Sequence, residues 1–293
     1  MRADESEEVR LMRSQALPIP KPQSDKQFVE AYLQYVLRCK TMPDGGPVQE
    51  AMRYAVLGDA QRVRPILALR VARMVGRQSP HTVRMAAAVE LIHCASLIID
   101  DLPCMDNEFE RRGRPSTHVA FGEATAILAA FGLVALAGRM ILNEPATAKE
   151  MPRLREFQSR LLGVLDVGGL IAGQSLDLAA SGPMLHDERL KISELKTVPL
   201  FDLAIRAGIA LTSLPEAEER ALLAFGRHFG LAFQMADDFA DGDASDPQPA
   251  EARIDRARDC LSGFGHNTRE LHELLDLLHV KVTPMHALGP VVV

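Results

Sequence analysis

"LIIDDLPCMDNEFERRGRP", residues 97–115, runs from an apolar segment straight into Asp100, Asp101 and Asp106, and only then into the adjacent arginines Arg111 and Arg112. Three carboxylates this close repel one another unless a cation lies among them. The apolar segment reads as the end of a buried helix, expected over 80–102. Pro103 falls between Asp100 and Asp106 and cannot continue a regular hydrogen-bond ladder. Six residues apart, the two aspartates would face different sides of a straight helix. A two-residue bulge at Pro103 would return them to a four-residue relationship and to one face.

A second acidic cluster, "FQMADDFADGDASD" at 233–246, follows the apolar run "LLAFGRHFGLAF". Asp237 and Asp241 are four apart and share a helix face, with Asp238 beside them. Acidic runs are usually solvated helix ends. Here, however, each cluster ends a strongly apolar helix, and the first is followed at once by two arginines. Hard oxygen donors without cysteine or histidine suit Mg²⁺ rather than zinc. Guanidinium forks suit phosphate. A diphosphate held by Mg²⁺ between two carboxylate walls accounts for both the crowded aspartates and the arginines.

The rest of the chain fits a soluble, ligand-binding protein. Its 293 residues are 47% hydrophobic and 25% charged, enough for a sizeable core. A net charge of -6, with no basic run, argues against nucleic acid as a partner. The cysteines Cys39, Cys94, Cys104 and Cys260 have no C-x-x-C spacing and read as reduced, mostly buried thiols of a cytoplasmic protein. The opening "MRADESEEVR" is too acidic for a secretory signal. The longest apolar stretch, "ATAILAAFGLVALAG" from Ala124 to Gly138, falls short of the ~20 residues a bilayer requires. It reads as a helix buried in a helical core, with no stable membrane insertion.

Helical periodicity dominates from residue 25 onward. Helices are expected near 25–41, 47–57, 62–75, 80–102, 117–142, 150–180, 187–210, 215–240, 251–262 and 266–280. Residues 1–24, with Pro18, Pro20 and Pro22, read as a flexible arm. Residues 25–293 read as a single all-α domain.

With these motifs in hand, the chain resembles the all-trans isoprenyl diphosphate synthases, the farnesyl/geranylgeranyl diphosphate synthase family. "DDLPCMD" is similar to the family's first aspartate-rich motif, "RRGRPSTH" to its RRGxPTxH, and "DDFAD" to its second motif. "GDAQRVRP" stands in the place of GGKRxRP, "LIH" precedes the first motif, and "GQSLDL" and "LKT" lie between the two, all in family order. The resemblance implies a terpenoid-synthase-type orthogonal helical bundle around a deep central cavity. It implies three Mg²⁺ ions on Asp100, Asp101, Asp106, Asp237, Asp238 and Asp241. Asp100, Asp101, Asp106, Lys196 and Asp237 become the expected catalytic residues. Arg111, Lys196, Thr197 and Gln234 would bind the allylic diphosphate, and Gln61, Arg64, His93 and Arg112 isopentenyl diphosphate. The small Ala95 and Ser96 stand where the family sets the floor of the chain pocket, which implies a C20 or nearby product; Phe121, Phe131 or Met140 are candidates to close it lower down. A homodimer is also implied.

The chain departs from the family at the second substrate. Gln61 stands where a lysine belongs, Asp59-Ala60 replaces Gly-Gly, and "GDASDPQPAEARIDRARD" lacks the usual downstream lysine. Arg62, Arg253 and Arg256 are candidates to compensate. The expected activity is a 1'-4 condensation of isopentenyl diphosphate with geranyl or farnesyl diphosphate. The alternatives are a terpene-synthase-like lyase that ionises an allylic diphosphate alone, and a non-catalytic partner subunit.

Overall fold

A computed structural model describes residues 24–39, 46–77, 79–142, 146–180, 186–240, 242, 246–265 and 267–283. The expected N-terminal arm, Asp241, Asp243 and His266 lie outside the described residues, apart from Ser24. The helices are α1 (Asp25–Cys39), α2 (Gly46–Val56), α3 (Val63–Met74), α4 (Pro80–Asp100), α5 (Thr117–Phe121), α6 (Glu123–Leu142), α7 (Met151–Gly163), α8 (Leu170–Ala179), α9 (His186–Ile209), α10 (Glu216–Ala240), α11 (Gln248–Leu261) and α12 (Arg269–Val282). Among the described residues the only sheet is a hairpin of β1 (Glu110–Arg111) and β2 (Arg114–Pro115). The fold is therefore all-α, as the periodicity predicts.

Two compact units emerge. One takes in the described residues up to Leu69 and from Ser79 to Leu161; the other takes in Arg70–Arg77 and those from Leu162 onward. In the first, α4 packs along α6, with α2 and α5 also on α6 and α1 on α4. α4 is apolar on every side, and fifteen of its 21 residues are buried, which makes it the centre of this unit. Its start is set by Ser79, whose hydroxyl accepts from the His81 amide, and by Pro80 at the first helical position. By length and composition both α4 and α6 could cross a membrane; here they pack against one another instead. In the second unit α10 packs against α9, α11 and α12, and α8 packs on α9.

Four differences from the expected elements have local causes. α4 ends at Asp100 rather than bulging through Pro103, and the chain then turns. The amide of Asp106 donates to the Asp100 carbonyl at 2.9 Å, and that of Glu108 to the Asp101 carbonyl at 3.2 Å, so the loop is closed by backbone bonds in place of a continued helix. The helix expected over 117–142 is two helices, because Gly122 adopts φ +82 between α5 and α6. The helix expected over 150–180 is interrupted by turns at 164–169. The hairpin was not anticipated: Arg112 (φ +57) and Gly113 (φ +74) form a two-residue turn with both residues left-handed, and Arg111 pairs with Arg114 across it. Of the cysteines whose side chains are described, only Cys94 is buried; Cys104 is exposed and Cys260 intermediate.

Candidate active site

The first aspartate cluster is organised by the hairpin. Asp101, buried to 2% exposure, accepts through Oδ1 from Arg111 Nε at 3.0 Å and also from Arg111 Nη2. The carboxylate at the end of α4 thus receives one of the two arginines that the sequence places ten residues later. Arg114 fixes the other hairpin strand by stacking its guanidinium 4.0 Å over the Tyr54 ring while donating to the Tyr54 carbonyl. Its guanidinium lies where a Cβ on Gly58 would fall, so Gly58 admits the hairpin to the end of α2. His118 braces the same loop: it is 8% exposed, with Nδ1 2.9 Å from Ser116 Oγ and its ring near Phe109.

Near the hairpin lies a cluster of cationic side chains around His93. Arg64 Nη1 is 3.2 Å from His93 Nε2, so the imidazole accepts there and carries its proton on Nδ1. Burial, and then the charges of Arg64, Arg112, Arg62 and Arg111, hold the His93 pKa well below its ordinary value. His93 is therefore neutral at pH 7. A cavity of about 30 Å³, with room for about one water, is lined by Cys94, Asp101, Arg111 and Arg112 among others. Burial pushes the Cys94 thiol up to about 12, which makes it an inert wall residue.

Arg62 has a different task from the one the sequence offered it. It is 2% exposed and adopts φ +55, with Nη1 on Glu90 Oε1 at 2.8 Å and Nη2 on the Val56 and Gly58 carbonyls at 2.5 and 3.2 Å. Turned inward onto Glu90 and the end of α2, it does not replace the missing lysine. Gln61 beside it is exposed. The nearby Asp59 is met by Lys26, whose Nζ lies 3.1 Å from Asp59 Oδ1. That hydrogen bond and charge, with Arg112 further off, lower the Asp59 pKa. Lys26 thus cancels the extra negative charge that Asp59 brings to the loop.

Ala95 is 2% exposed within α4, and Ser96 is half-buried with its hydroxyl donating to the His93 carbonyl at 2.9 Å. Met140 is 6% exposed, Phe121 packs edge-on against Tyr54 with ring centroids 5.2 Å apart, and Phe131 is 68% exposed.

The second unit holds its site residues in two chains of contact. Lys196 on α9 donates to Asp177 Oδ2 on α8 at 2.6 Å. The two helices approach so closely that a Cβ on Gly173 would lie 2.8 Å from Lys196 Cγ. Thr197, 4% exposed, donates to Gln234 Oε1 at 3.4 Å, and Gln234 Nε2 donates to Asp238 Oδ1 at 2.7 Å. The threonine thereby fixes the amide orientation that presents N–H to the aspartate. Two residues beyond Thr197, Pro199 interrupts the α9 ladder without ending the helix.

Asp237 has a partner that sequence reasoning missed. Lys281, in the last turn of α12, donates to Asp237 Oδ1 and sits 5.5 Å from the Phe233 ring centroid. No motif marks Lys281, and 44 residues separate it from Asp237. Its one sequence signal is that no other lysine follows Lys196. Arg253, offered by the sequence as compensation, instead reaches His228 Nδ1 at 3.5 Å. His228 precedes Asp237 on α10 by nine residues, roughly 13 Å of helix. Asp241 lies outside the described residues.

The aspartates fit Mg²⁺, since both clusters offer several hard carboxylate oxygens and neither offers an imidazole, with Cys104 the one thiol within the first cluster. Among the described residues no three His, Cys, Asp or Glu side chains gather at ion-binding distance. Asp101 and Asp237 are each drawn through Oδ1 onto a cationic side chain.

An all-α bundle with two such clusters defines an isoprenyl synthase fold, and the comparisons agree. Residues 47–249 match the Polyprenyl synthetase family, and the chain belongs to it. Geranylgeranyl pyrophosphate synthase 10, mitochondrial, of Arabidopsis thaliana is 40% identical over 200 residues, covering 66% of this chain and 57% of that protein. Farnesyl diphosphate synthase of Bacillus subtilis (strain 168) is 33% identical over 222 residues, 75% of this chain and 74% of that one. The chain spans little more than half the length of the first plant relatives it matches. The solved structure of a geranyltransferase from Legionella pneumophila superposes with a TM-score of 0.80 at 31% identity, covering 94% of this chain and 96% of that one.

Proposed function

We propose that the protein is a Mg²⁺-dependent trans-prenyltransferase that condenses isopentenyl diphosphate with an allylic diphosphate, geranyl or farnesyl. The observation that carries the reading is the Arg64–His93 contact, 3.2 Å long, under the charges of Arg112 and Arg111. It is a cluster of cationic side chains near the hairpin, suited to a second anion that a lyase acting on one substrate has no need of. The relatives named as geranylgeranyl and farnesyl diphosphate synthases support the same reaction class.

In this reading Arg111, Lys196, Thr197 and Gln234 orient the allylic diphosphate, and Arg64, His93 and Arg112 hold isopentenyl diphosphate, with Gln61 at its edge. Asp100, Asp101, Asp106, Asp237, Asp238 and Asp241 are the proposed metal ligands, for three ions. Bound there, Mg²⁺ would neutralise charge on the departing diphosphate. The allylic C1–O bond breaks and its electron pair leaves with the diphosphate, while Arg111 and Lys196 stabilise the developing negative charge. The double bond of isopentenyl diphosphate then attacks that carbon. A proton lost from the adjacent carbon to the diphosphate restores neutrality and leaves a new double bond. Neutral His93 keeps its ring as an acceptor for Arg64, so the guanidinium stays aimed at the second substrate.

The small Ala95 and Ser96 support a C20 or nearby product. Leu128 and Phe131, exposed at 55% and 68% on one face of α6, support pairing with a second copy of this chain. A cytoplasmic setting is proposed from the free thiols of Cys94, Cys104 and Cys260. Mass analysis of products from purified protein, Mg²⁺ and farnesyl diphosphate, with and without isopentenyl diphosphate, tests the reaction. A longer prenyl diphosphate formed only with both substrates supports it. A hydrocarbon or alcohol from farnesyl diphosphate alone refutes it in favour of a lyase.

A further inference from the structure

Lys281 is held where it is by the whole length of α12. Leu271, Leu274, Leu275, Leu278 and Val282 bury one stripe of the helix. Arg70 donates to the Glu270 carbonyl at 2.6 Å and Arg73 Nε to the Glu270 carboxylate at 2.8 Å, which anchors its start. Arg258 donates to Asp276 at 2.6 Å and holds its middle. The last turn then delivers the only lysine after Lys196 onto the first aspartate of the second cluster. The pair is neither a surface accident nor a sealed core ion pair, for the two side chains are 32% and 30% exposed. In that same position the ammonium also lies 5.5 Å from the Phe233 ring centroid, one helical turn before Asp237, so the aromatic face helps to hold it there.

We propose that Lys281 is an exchangeable counter-ion of the second aspartate cluster. It neutralises Asp237 while no metal is bound, gives the carboxylate up when Mg²⁺ enters, and then directs its ammonium at the incoming diphosphate. This deepens the prenyltransferase reading above and rests on it. A lysine suits the task because its ammonium is a compact charge on a flexible four-carbon stem, able to swing from Asp237 to a phosphate oxygen without moving α12. The proposal also answers the charge deficit of the α10–α11 connection, which carries no lysine of its own. It makes Lys281 a residue of opposite sign in two binding steps: a competitor of free Mg²⁺ and a helper of the diphosphate.

That sign reversal is the test, and titration calorimetry on the full chain reads both steps without turnover. Lys281→Met should bind Mg²⁺ alone about fivefold more tightly than wild type, because a competing partly buried ion pair is gone. The same variant should bind inorganic pyrophosphate, at saturating Mg²⁺, about tenfold more weakly, having lost one charge-assisted contact. Lys281→Arg should stay within about twofold of wild type for pyrophosphate, since the charge is kept. Loss of both affinities together in Lys281→Met, or no change in either, overturns the counter-ion role while wild-type binding leaves the prenyltransferase reading standing. Wild-type protein that binds no pyrophosphate with Mg²⁺ overturns that reading, and this inference with it.

Discussion

Replacing Arg62 separates a structural arginine from a substrate-binding one. Its guanidinium and the Glu90 carboxylate are 1% and 2% exposed and 2.8 Å apart, with Glu30 a further 3.8 Å from Nε. Burial opposes its charge, but the Glu90 charge and hydrogen bond outweigh that, so its pKa is raised and the group is charged at every working pH. Arg62→Ala leaves Glu90 buried without its cation and the Val56 and Gly58 carbonyls without their donor. Removing one partner of a buried pair costs about 3–5 kcal/mol. Against a typical total of about 5–15 kcal/mol, that is roughly a fifth or more of the stability. Arg62→Gly should be milder than Arg62→Ala by about 1 kcal/mol, because glycine accepts φ +55 without the strain a Cβ meets there. The double variant Arg62→Met/Glu90→Met should return close to wild type, since removing both charges leaves neither stranded. Urea unfolding with linear extrapolation measures the three variants against wild type. Arg62→Ala within about 1 kcal/mol of wild type, together with weakened isopentenyl diphosphate binding, would refute the reasoning and return Arg62 to the site.

Gln61→Lys restores one charge-assisted contact of ~1.5–3 kcal/mol and should lower the KM for isopentenyl diphosphate by about 10–150-fold; an unchanged KM would mean Gln61 does not face that substrate. Asp100→Ala should abolish Mg²⁺-dependent turnover, measured by product mass analysis, and full activity would exclude a metal role for that aspartate. Ala95→Phe should shorten the product by at least one isoprene unit, at an overpacking cost of about 1–3 kcal/mol; an unchanged chain length would move the floor elsewhere. His93 sets a pH dependence of stability. Its pKa is depressed in the folded protein, so below its ordinary value of about 6.5 the unfolded chain takes up a proton that the folded one refuses. Stability should therefore fall as pH drops below about 6.5 and level off above it, and His93→Gln should flatten that slope in denaturation series from pH 5 to 8.

What the sequence could and could not carry follows from the range of the interactions. The aspartate motifs and the Arg111–Arg112 pair were legible because their chemistry is local and their spacing short. The all-α class was legible because α4 and α10 are long enough for periodicity to accumulate. The single break at Gly122 was not, since one residue at positive φ ends a helix without altering the apolar pattern on either side, and neither were the turns after Gly163. Arg62 was misread because residue type says nothing of direction: a basic residue in a phosphate-binding segment can turn inward when a carboxylate on another helix, here Glu90, awaits it. Lys281 was missed for the complementary reason, since its partner lies 44 residues away and only the fold of α12 brings them together.

The same distinction explains how a site with a missing lysine can remain a site. Asp59 and Gln61 together make the first unit's loop two charges more negative than the family's Gly and Lys would leave it, and Lys26 returns one of them through space. The α10–α11 connection lacks its lysine, and Lys281 brings one to the neighbouring cluster along α12. In each case a charge absent from a motif is supplied from a helix remote in sequence. A binding pocket is selected for the field at the ligand, which falls off with distance in space and is indifferent to the order of residues along the chain. An eroded motif is therefore weak evidence for a lost activity until the cations around it have been located in three dimensions.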